Sequence, residues 1–311
     1  MEIKQTQTEG LLFQTPFVSI GTNARKGMDI KMPLNVRKND VTITARSNPL
    51  VVRVGKLDDK KYREEEKCFR FDGIKLFLES LTFGAEIESI LVREDAYENV
   101  MRAVDAFFGG REIVCRGTLY TLGASAFEKL SCEKSPEGII CVAKYIDKSH
   151  KSVKIGKDEL VCGGKTIMLE SLRDPGNLGT IMRGAAAFGI ENVILSSDCA
   201  DIYNARTLRG AMGAIFKLKT VRVDDIPSAV TLLRQSGRRV FSAALDHDAK
   251  KLGEIELLPT DVFLIGNEGH GLSDEAIKAC DHSVFIPICE NTESLNAAVA
   301  ASVCMWEQSK L

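Results

Sequence analysis

The sequence predicts an α/β protein with two domains, the second built on a parallel sheet that helices cover on both faces. Short apolar runs typical of buried strands alternate with amphipathic helical segments along most of the 311 residues. A charged, glycine-containing stretch at 147–162 interrupts this alternation and is predicted to be a linker. The length also favours about two domains, at roughly 150 residues each.

The smaller α/β domain is predicted over residues 41–146. Residues 1–40 show no sustained periodicity, so we expect a loosely ordered extension there. Segment 71–85 predicts a helix, whose apolar face is formed by Ile74, Phe77, Leu78 and Leu81. The following elements are predicted in the order strand "IESILVR", helix "AYENVMRAVDAFF", strand "REIVCRG", short helix "LGASAFEKLSC" and buried strand "GIICVAKYI".

The second domain, residues 163–311, alternates strands and helices throughout. Its predicted strands are "KTIMLESL", "NVILSS", "AIFKLKTV", "RVFSAALD", "DVFLIGNE" and "HSVFIPI". Helices are predicted around Arg183, at 204–213, in "IPSAVTLLRQSG", after Ser273 and from Ser294. Apolar strands separated by helices predict a parallel sheet, and ligands of such sheets bind at the carboxyl ends of the strands.

Charge is unevenly distributed along a chain whose net charge is −2. Residues 1–70 hold 14 Lys and Arg against 9 Asp and Glu, whereas residues 161–311 hold 15 against 19. The basic amino-terminal part could bind an anionic surface such as RNA phosphate, or it could be an ordinary solvated surface. Charge alone leaves both interpretations open.

Several classes of protein find no support in the sequence. No apolar run approaches the ~20 residues of a membrane span, and the first 21 residues lack the pattern of a signal peptide. The nine cysteines form no C-x-x-C pair, so we expect reduced thiols, no metal site and a cytoplasmic protein.

Three polar loops follow predicted strands of the second domain. In the first, "DPGNLGTIMR", Asn177 is a candidate helix N-cap, and Arg183 lies off the apolar stripe formed by Leu178, Ile181, Ala185 and Phe188. The second, "LIGNEGHGLSDE", places Asn267 and Glu268 among glycines at 266, 269 and 271. In the third, "IPICENTESLNAAVAA", Ser294 can cap the last helix, with Asn296 in its first turn.

Each of these loops taken alone is ordinary turn or capping chemistry. The strands are followed by neither G-x-G-x-x-G nor the phosphate-binding G-x-x-x-x-G-K-[ST], which counts against a dinucleotide or ATP site. Because all three loops follow strands of one predicted sheet, a shared pocket is the better explanation.

Together the three motifs resemble those of the SpoU (TrmH) family of RNA ribose 2′-O-methyltransferases. The resemblance rests on Asn177-x-Gly179 with Arg183, on "GNEGHGLS" and on "IP" followed by "SLN", and it covers about residues 163–309. Residues 43–145 are similar to the ribosomal-protein-like RNA-binding domain that precedes the catalytic domain in many members. The resemblance implies a SPOUT-type parallel sheet with a carboxyl-terminal trefoil knot, preceded by a small α/β RNA-binding domain.

The resemblance also implies S-adenosyl-L-methionine as methyl donor. Carried over position by position, the expected cofactor-binding residues are Ala244, Leu245, Gly266, Asn267, Gly271, Ile286, Ile288, Ser294 and Leu295. The expected catalytic residues are Arg183, Asn177, Glu268, Ser294 and Asn296. Arg183 would contact the phosphate or ribose and stabilise the developing alkoxide, because a free guanidinium is a very poor base.

The function expected from the resemblance is 2′-O-methylation of a ribose in structured RNA by a homodimer. The additional amino-terminal domain favours 23S ribosomal RNA over transfer RNA as substrate. The alternatives are a transfer-RNA methyltransferase, a catalytically silent RNA-binding protein of ribosome assembly, and an unrelated nucleotide-dependent α/β enzyme. Intact candidate catalytic residues argue against the silent protein, and the missing phosphate motifs argue against the unrelated enzyme.

Overall fold

The computed structural model describes residues 34–146 except 132 and 134, residues 163–311 except 290 and 293, and the backbone of Ser152–Val153. The predicted extension lies outside the described residues as far as residue 33, and so does the predicted linker apart from that two-residue strand. The described residues belong to one compact unit. We call residues 34–146 the amino-terminal lobe and residues 163–311 the carboxyl-terminal lobe.

A five-stranded mixed sheet forms the centre of the amino-terminal lobe, in the order β1-β4-β3-β5-β2. Its strands are β1 (Leu34–Lys38), β2 (Cys68–Asp72), β3 (Ile87–Arg93), β4 (Ile113–Leu122) and β5 (Ile139–Lys144). Its helices are α1 (Pro49–Lys56), α2 (Lys60–Glu66), α3 (Ile74–Thr82), α4 (Tyr97–Phe108) and α5 (Ala124–Leu130). Helices α3 and α4 pack on one face of the sheet and α1 and α5 on the other, which confirms the predicted α/β organisation.

Three strands of this lobe differ from the sequence prediction. The sheet begins with Leu34–Lys38, before the predicted domain start at residue 41, and Leu34 is the only fully buried side chain of that strand. Because only one position of β1 is buried, its sequence lacks the alternation of apolar and polar residues that predicts a strand. Strand β2 (Cys68–Asp72) includes the first two residues of the helix predicted over 71–85, and α3 begins only at Ile74. The predicted strand "REIVCRG" continues to Leu122.

An eight-stranded sheet forms the carboxyl-terminal lobe, and its described strand pairs are all parallel, as predicted. The strand order is β11-β13-β10-β12-β7-β8-β9-β6. These strands are β6 (Ser152–Val153), β7 (Thr166–Leu169), β8 (Asn192–Ser196), β9 (Lys219–Val223), β10 (Val240–Ala243), β11 (Lys250–Lys251), β12 (Val262–Ile265) and β13 (His282–Phe285). The predicted strand "AIFKLKTV" is wrong in its first half, because Ala214–Phe216 form a 3₁₀ turn and β9 begins at Lys219.

Helices cover both faces of this sheet, which confirms the predicted arrangement. They are α6 (Pro175–Ala187), α7 (Ala205–Ala211), α8 (Ile226–Gln235), α9 (Asp274–Ala279) and α10 (Ala297–Ser309). Helices α6, α7 and α10 share one apolar cluster with the sheet, and α8 and α9 contribute to another. A Cβ on Gly179 of α6 would lie 2.5 Å from the carbonyl oxygen of Thr207 in α7, so glycine permits this close helix packing.

The two lobes meet in a contact formed by residues 201–203. The buried guanidinium of Arg63 donates to the carboxylate of Asp201 at 2.7 Å. The Tyr203 ring stacks on Tyr145 with centroids 4.2 Å apart, and its hydroxyl accepts the backbone N–H of Ile146 at 2.9 Å. Charge pairing and aromatic packing together fix the amino-terminal lobe against the segment that leads into α7.

Candidate active site

The three polar loops share one edge of the carboxyl-terminal sheet, as the sequence predicts. Strands β7, β12, β10 and β13 are consecutive neighbours in the sheet and run parallel, so their carboxyl ends lie at the same edge. Leu169 at the end of β7 pairs with Ile265 at the end of β12. The loops that follow these strands therefore start side by side, in the position where ligands of parallel sheets bind.

A hydrogen-bonded polar cluster joins one residue from each loop. The Asn177 side-chain amide donates to a Glu268 carboxylate oxygen at 2.9 Å. The Asn296 amide donates in turn to the Asn177 carbonyl oxygen at 3.1 Å. The structure thus brings together three of the five residues predicted to be catalytic.

The other two predicted catalytic residues lie outside these hydrogen bonds. Arg183 is exposed on α6, six residues and about 9 Å along the helix axis from Asn177. Neither the Arg183 side chain nor the hydroxyl of the exposed Ser294 has a hydrogen-bond partner within the part of the chain that the structure describes. The Arg183 guanidinium therefore remains available to a ligand.

Both predicted helix caps are wrong by two or three positions. Asp174 is the N-cap of α6 and accepts the Asn177 backbone N–H at 2.8 Å, with Pro175 as the first helical residue. Asn296, rather than Ser294, is the N-cap of α10, and its side-chain oxygen accepts the N–H of Ala298 at 2.9 Å. Because Asp174 performs the capping, the Asn177 side chain is free to hold Glu268 and Asn296.

Asn267 and Gly271, both predicted to bind the cofactor, shape the loop that carries Glu268. The Asn267 amide donates to the Ser171 carbonyl at 2.7 Å, and its oxygen accepts the Gly269 N–H at 2.8 Å. Gly271 adopts a φ of +71° and exchanges two backbone hydrogen bonds with Asn267. A Cβ on Gly266 would lie 2.4 Å from the Gly271 carbonyl carbon, so this turn requires glycine at position 266.

Glu170 and Ser171, which sequence reasoning missed, hold the same loop from β7. Glu170 accepts both the N–H and the hydroxyl of Ser273, at 2.9 and 2.8 Å. Ser171 has a φ of +54°, and its hydroxyl donates to Asp198 at 2.7 Å. Burial raises the pKa of Asp198, but hydrogen bonds from Ser196, Ser171 and Arg173 outweigh burial and hold that pKa below its usual value. These contacts join distant segments, so the local sequence gives no signal for them.

The remaining predicted cofactor-binding residues lie around the ends of β10, β12 and β13. Ala244 donates its N–H to the Val284 carbonyl at 3.1 Å, which joins the ends of β10 and β13. Leu245 is 86% exposed and Ile288 is 40% exposed, whereas Ile286 and Leu295 are half-buried. Exposed apolar side chains beside a glycine turn fit a ligand with both apolar and polar parts, such as an adenosyl group linked to methionine. Within the described residues, no group of three His, Cys, Asp or Glu side chains could hold a metal ion.

Comparison with known proteins identifies the family. The profile of the SpoU rRNA methylase family matches residues 164–306, and that of the MRM3-like substrate binding domain matches residues 48–141. The chain is 30% identical over 264 residues to the 23S rRNA (guanosine(2553)-2′-O)-methyltransferase RlmP of Bacillus subtilis, covering 85% of this chain and 97% of RlmP. The chain belongs to the SpoU rRNA methylase family.

Further relatives agree with this membership of the SpoU family. A 23S rRNA (uridine(2479)-2′-O)-methyltransferase of Streptomyces viridochromogenes is 32% identical over 145 residues, which are 45% of this chain and 50% of that protein. The fold matches the AdoMet-bound rRNA methyltransferase of Sinorhizobium meliloti with a TM-score of 0.73 at 24% identity, over 88% of this chain and 98% of that one. No helix in the described part of the chain is long and apolar enough to cross a membrane.

Proposed function

We propose that this SpoU protein transfers a methyl group from S-adenosylmethionine to a ribose 2′-hydroxyl of 23S ribosomal RNA. The proposal rests mainly on the Glu268–Asn177–Asn296 cluster, which shares helix α6 with the exposed Arg183 and lies within the SpoU-matching segment. The likeness to RlmP, which spans 97% of that enzyme, supports ribosomal RNA as the substrate class. Because a protein that modifies ribosomal RNA works where that RNA is, we also propose a cytoplasmic location.

The chemistry requires alignment of the acceptor ribose and stabilisation of its developing alkoxide. When bound, S-adenosylmethionine supplies a methyl group that is already electrophilic because of the sulfonium. Arg183 would hold the phosphate or ribose of the target nucleotide, and its permanently charged guanidinium would stabilise the alkoxide. Asn177, fixed between Glu268 and Asn296, would keep the loops in the orientation that accepts the ribose, and Ser294 would help to orient the nucleotide.

The donor site is proposed at the ends of β10, β12 and β13. Leu245 and Ile288 would supply apolar contacts, and the backbone of the Gly266–Gly271 turn would supply polar groups that approach closely. We also propose the family's trefoil knot for the segment from β12 to α10. The strand order supports it, because β12 lies between β7 and β10 although it follows both in the chain.

A homodimer is proposed through the exposed side of α10. Val299 and Trp306 are 49% and 53% exposed, and they line a groove of about 350 Å³ beside Asn177 and Thr180. A second copy that covers these apolar side chains would place its surface next to the polar cluster. We expect light scattering to give a dimer for the wild type and a monomer for Trp306→Glu, and a monomeric wild type would contradict this proposal.

Arg183→Ala tests the proposed role of the arginine. Because Arg183 is exposed and unpaired among the described residues, we expect the variant to keep its unfolding temperature and its affinity for S-adenosylmethionine. Methyl transfer to ribosomal RNA is expected to fall at least about 100-fold. Near-normal turnover would overturn the role of Arg183, and a wild type that binds no donor would favour a silent RNA-binding protein.

A further inference from the structure

Two exposed arginines flank the N-cap of α6, next to the polar cluster. The Arg206 side chain is 64% exposed and pairs with the carboxylate of Asp174 at 3.1 Å. The Arg173 side chain is 73% exposed and pairs with Asp198 at 3.4 Å. Exposed ion pairs of this kind contribute little to stability, so both guanidiniums can exchange their carboxylate for another anion.

Arg206 is held close to the candidate active site by Asp174. One oxygen of Asp174 accepts the Asn177 backbone N–H, and the other pairs with Arg206. A Cβ on Gly176 would lie 3.1 Å from two nitrogens of Arg206, so the guanidinium lies over the first turn of α6. A phosphate bound by Arg206 would therefore be adjacent to the residues that surround the target ribose.

Arginines are concentrated along α6 and α7, although the lobe as a whole has more acidic than basic side chains. Residues 161–311 hold 15 basic against 19 acidic side chains. Nevertheless, four exposed arginines lie on or next to α6 and α7, and they are Arg173, Arg183, Arg206 and Arg209. A local concentration of guanidiniums on an acidic domain indicates a polyanionic partner.

Helix α7 also connects this region to the amino-terminal lobe. A cavity of about 300 Å³ between the lobes is lined by Asn204, Ala205 and Arg209 on one side and by Arg70 and Asp72 on the other. The cavity thus borders the lobe that matches the substrate-binding profile. A strand bound by that lobe could follow α7 past Arg206 to reach Arg183.

We propose that Arg206, assisted by Arg173, binds backbone phosphates of the substrate RNA next to the target nucleotide. This inference rests on the proposed function, because it assumes an RNA substrate whose target ribose lies at Arg183. Each guanidinium group can bind a phosphate through two parallel hydrogen bonds. The contact positions the RNA and takes no part in the methyl transfer itself.

The test compares Arg206→Ala, Arg206→Lys and the double variant Arg173→Ala/Arg206→Ala, using 23S rRNA from a strain that lacks this gene. Arg234→Ala is the matched control, because Arg234 is also exposed and paired with an aspartate at 2.8 Å, but lies on α8 at the other face of the sheet. We expect Arg206→Ala to raise the KM for RNA about 10-fold, with kcat and donor affinity within about 2-fold of wild type. Arg206→Lys should recover part of the loss, and the control should behave as wild type.

Salt dependence separates a phosphate contact from a general structural defect. A plot of the logarithm of RNA affinity against the logarithm of salt concentration has a negative slope. Each lost phosphate contact should make this slope less steep by about 0.7–0.9. The reduction in steepness should therefore be about twice as large in the double variant as in Arg206→Ala. An unchanged slope, or an equal loss in Arg234→Ala, would overturn the proposal. If the variants show the expected slope change but the wild type methylates no RNA, the proposed function is wrong and the RNA-binding role of Arg206 and Arg173 is retained.

Discussion

Asn177 is the residue that unites the candidate site, because its single side chain bonds both Glu268 and Asn296. Asn177→Asp replaces the donating amide with a carboxylate oxygen that faces the Glu268 carboxylate. We expect methyl transfer to fall about 10- to 100-fold, from the loss of one or two hydrogen bonds and the added repulsion. The exposed Thr180→Ala, one turn along α6, is the control for this assay and should leave turnover unchanged. Equal activity in both variants would refute the role given to Asn177.

Gly266 tests the requirement for glycine in the turn that carries Glu268. In Gly266→Ala the new Cβ would lie 2.4 Å from backbone of Gly271, so the turn must open. We expect donor affinity measured by calorimetry to fall at least about 10-fold. In Gly269→Ala the nearest atom is 3.5 Å away, so this variant should bind as wild type. Normal donor binding by Gly266→Ala would remove this turn from the donor site.

At the scale of elements, α6 is held between α7 and α10 by its small residues. Gly179→Ala would drive a methyl group to 2.5 Å from the Thr207 carbonyl oxygen, and we expect a loss of about 1–3 kcal/mol in the free energy of unfolding in urea. Gly184→Ala is the comparison, because its Cβ would meet the flexible end of Met305 at 3.1 Å. That variant should be neutral or slightly stabilised by better helix propensity. The reverse order of stability would contradict this account of the packing.

Sequence periodicity predicted most elements but not the details that build the site. The parallel sheet and its covering helices follow from apolar patterns, since those patterns reflect burial directly. The N-caps of α6 and α10 were misassigned because "DPGN" and "ESLN" each contain more than one residue that can cap. The hydrogen bonds of Glu170 and Ser171 to the second loop span about a hundred residues of chain, so only the fold brings them together.

At the scale of the whole molecule, Asp72 makes stability depend on pH at the junction of the lobes. Burial raises the pKa of Asp72 to about 6. Between about pH 4, near the usual pKa of an aspartate, and about pH 6, the folded state binds more protons than the unfolded state. The contribution of Asp72 to stability therefore falls as pH rises through that window. Asp72→Asn should therefore be more stable than wild type by about 1–2 kcal/mol at pH 8, and the difference should shrink at pH 5. Urea unfolding of both proteins at pH 5 and pH 8 measures this difference, and a difference that is the same at the two pH values would contradict the role given to Asp72.

Transfer of labelled methyl from S-adenosylmethionine to RNA and ribosomal particles of a strain that lacks this gene is the decisive assay for the proposed function. The RNA is fractionated after the reaction and digested for nucleoside analysis. We expect one 2′-O-methylated nucleoside in 23S rRNA with the wild type and none with Arg183→Ala. Label confined to transfer RNA would contradict the proposed substrate. Label absent from free RNA and from ribosomal particles alike, despite donor binding, would contradict the proposed reaction.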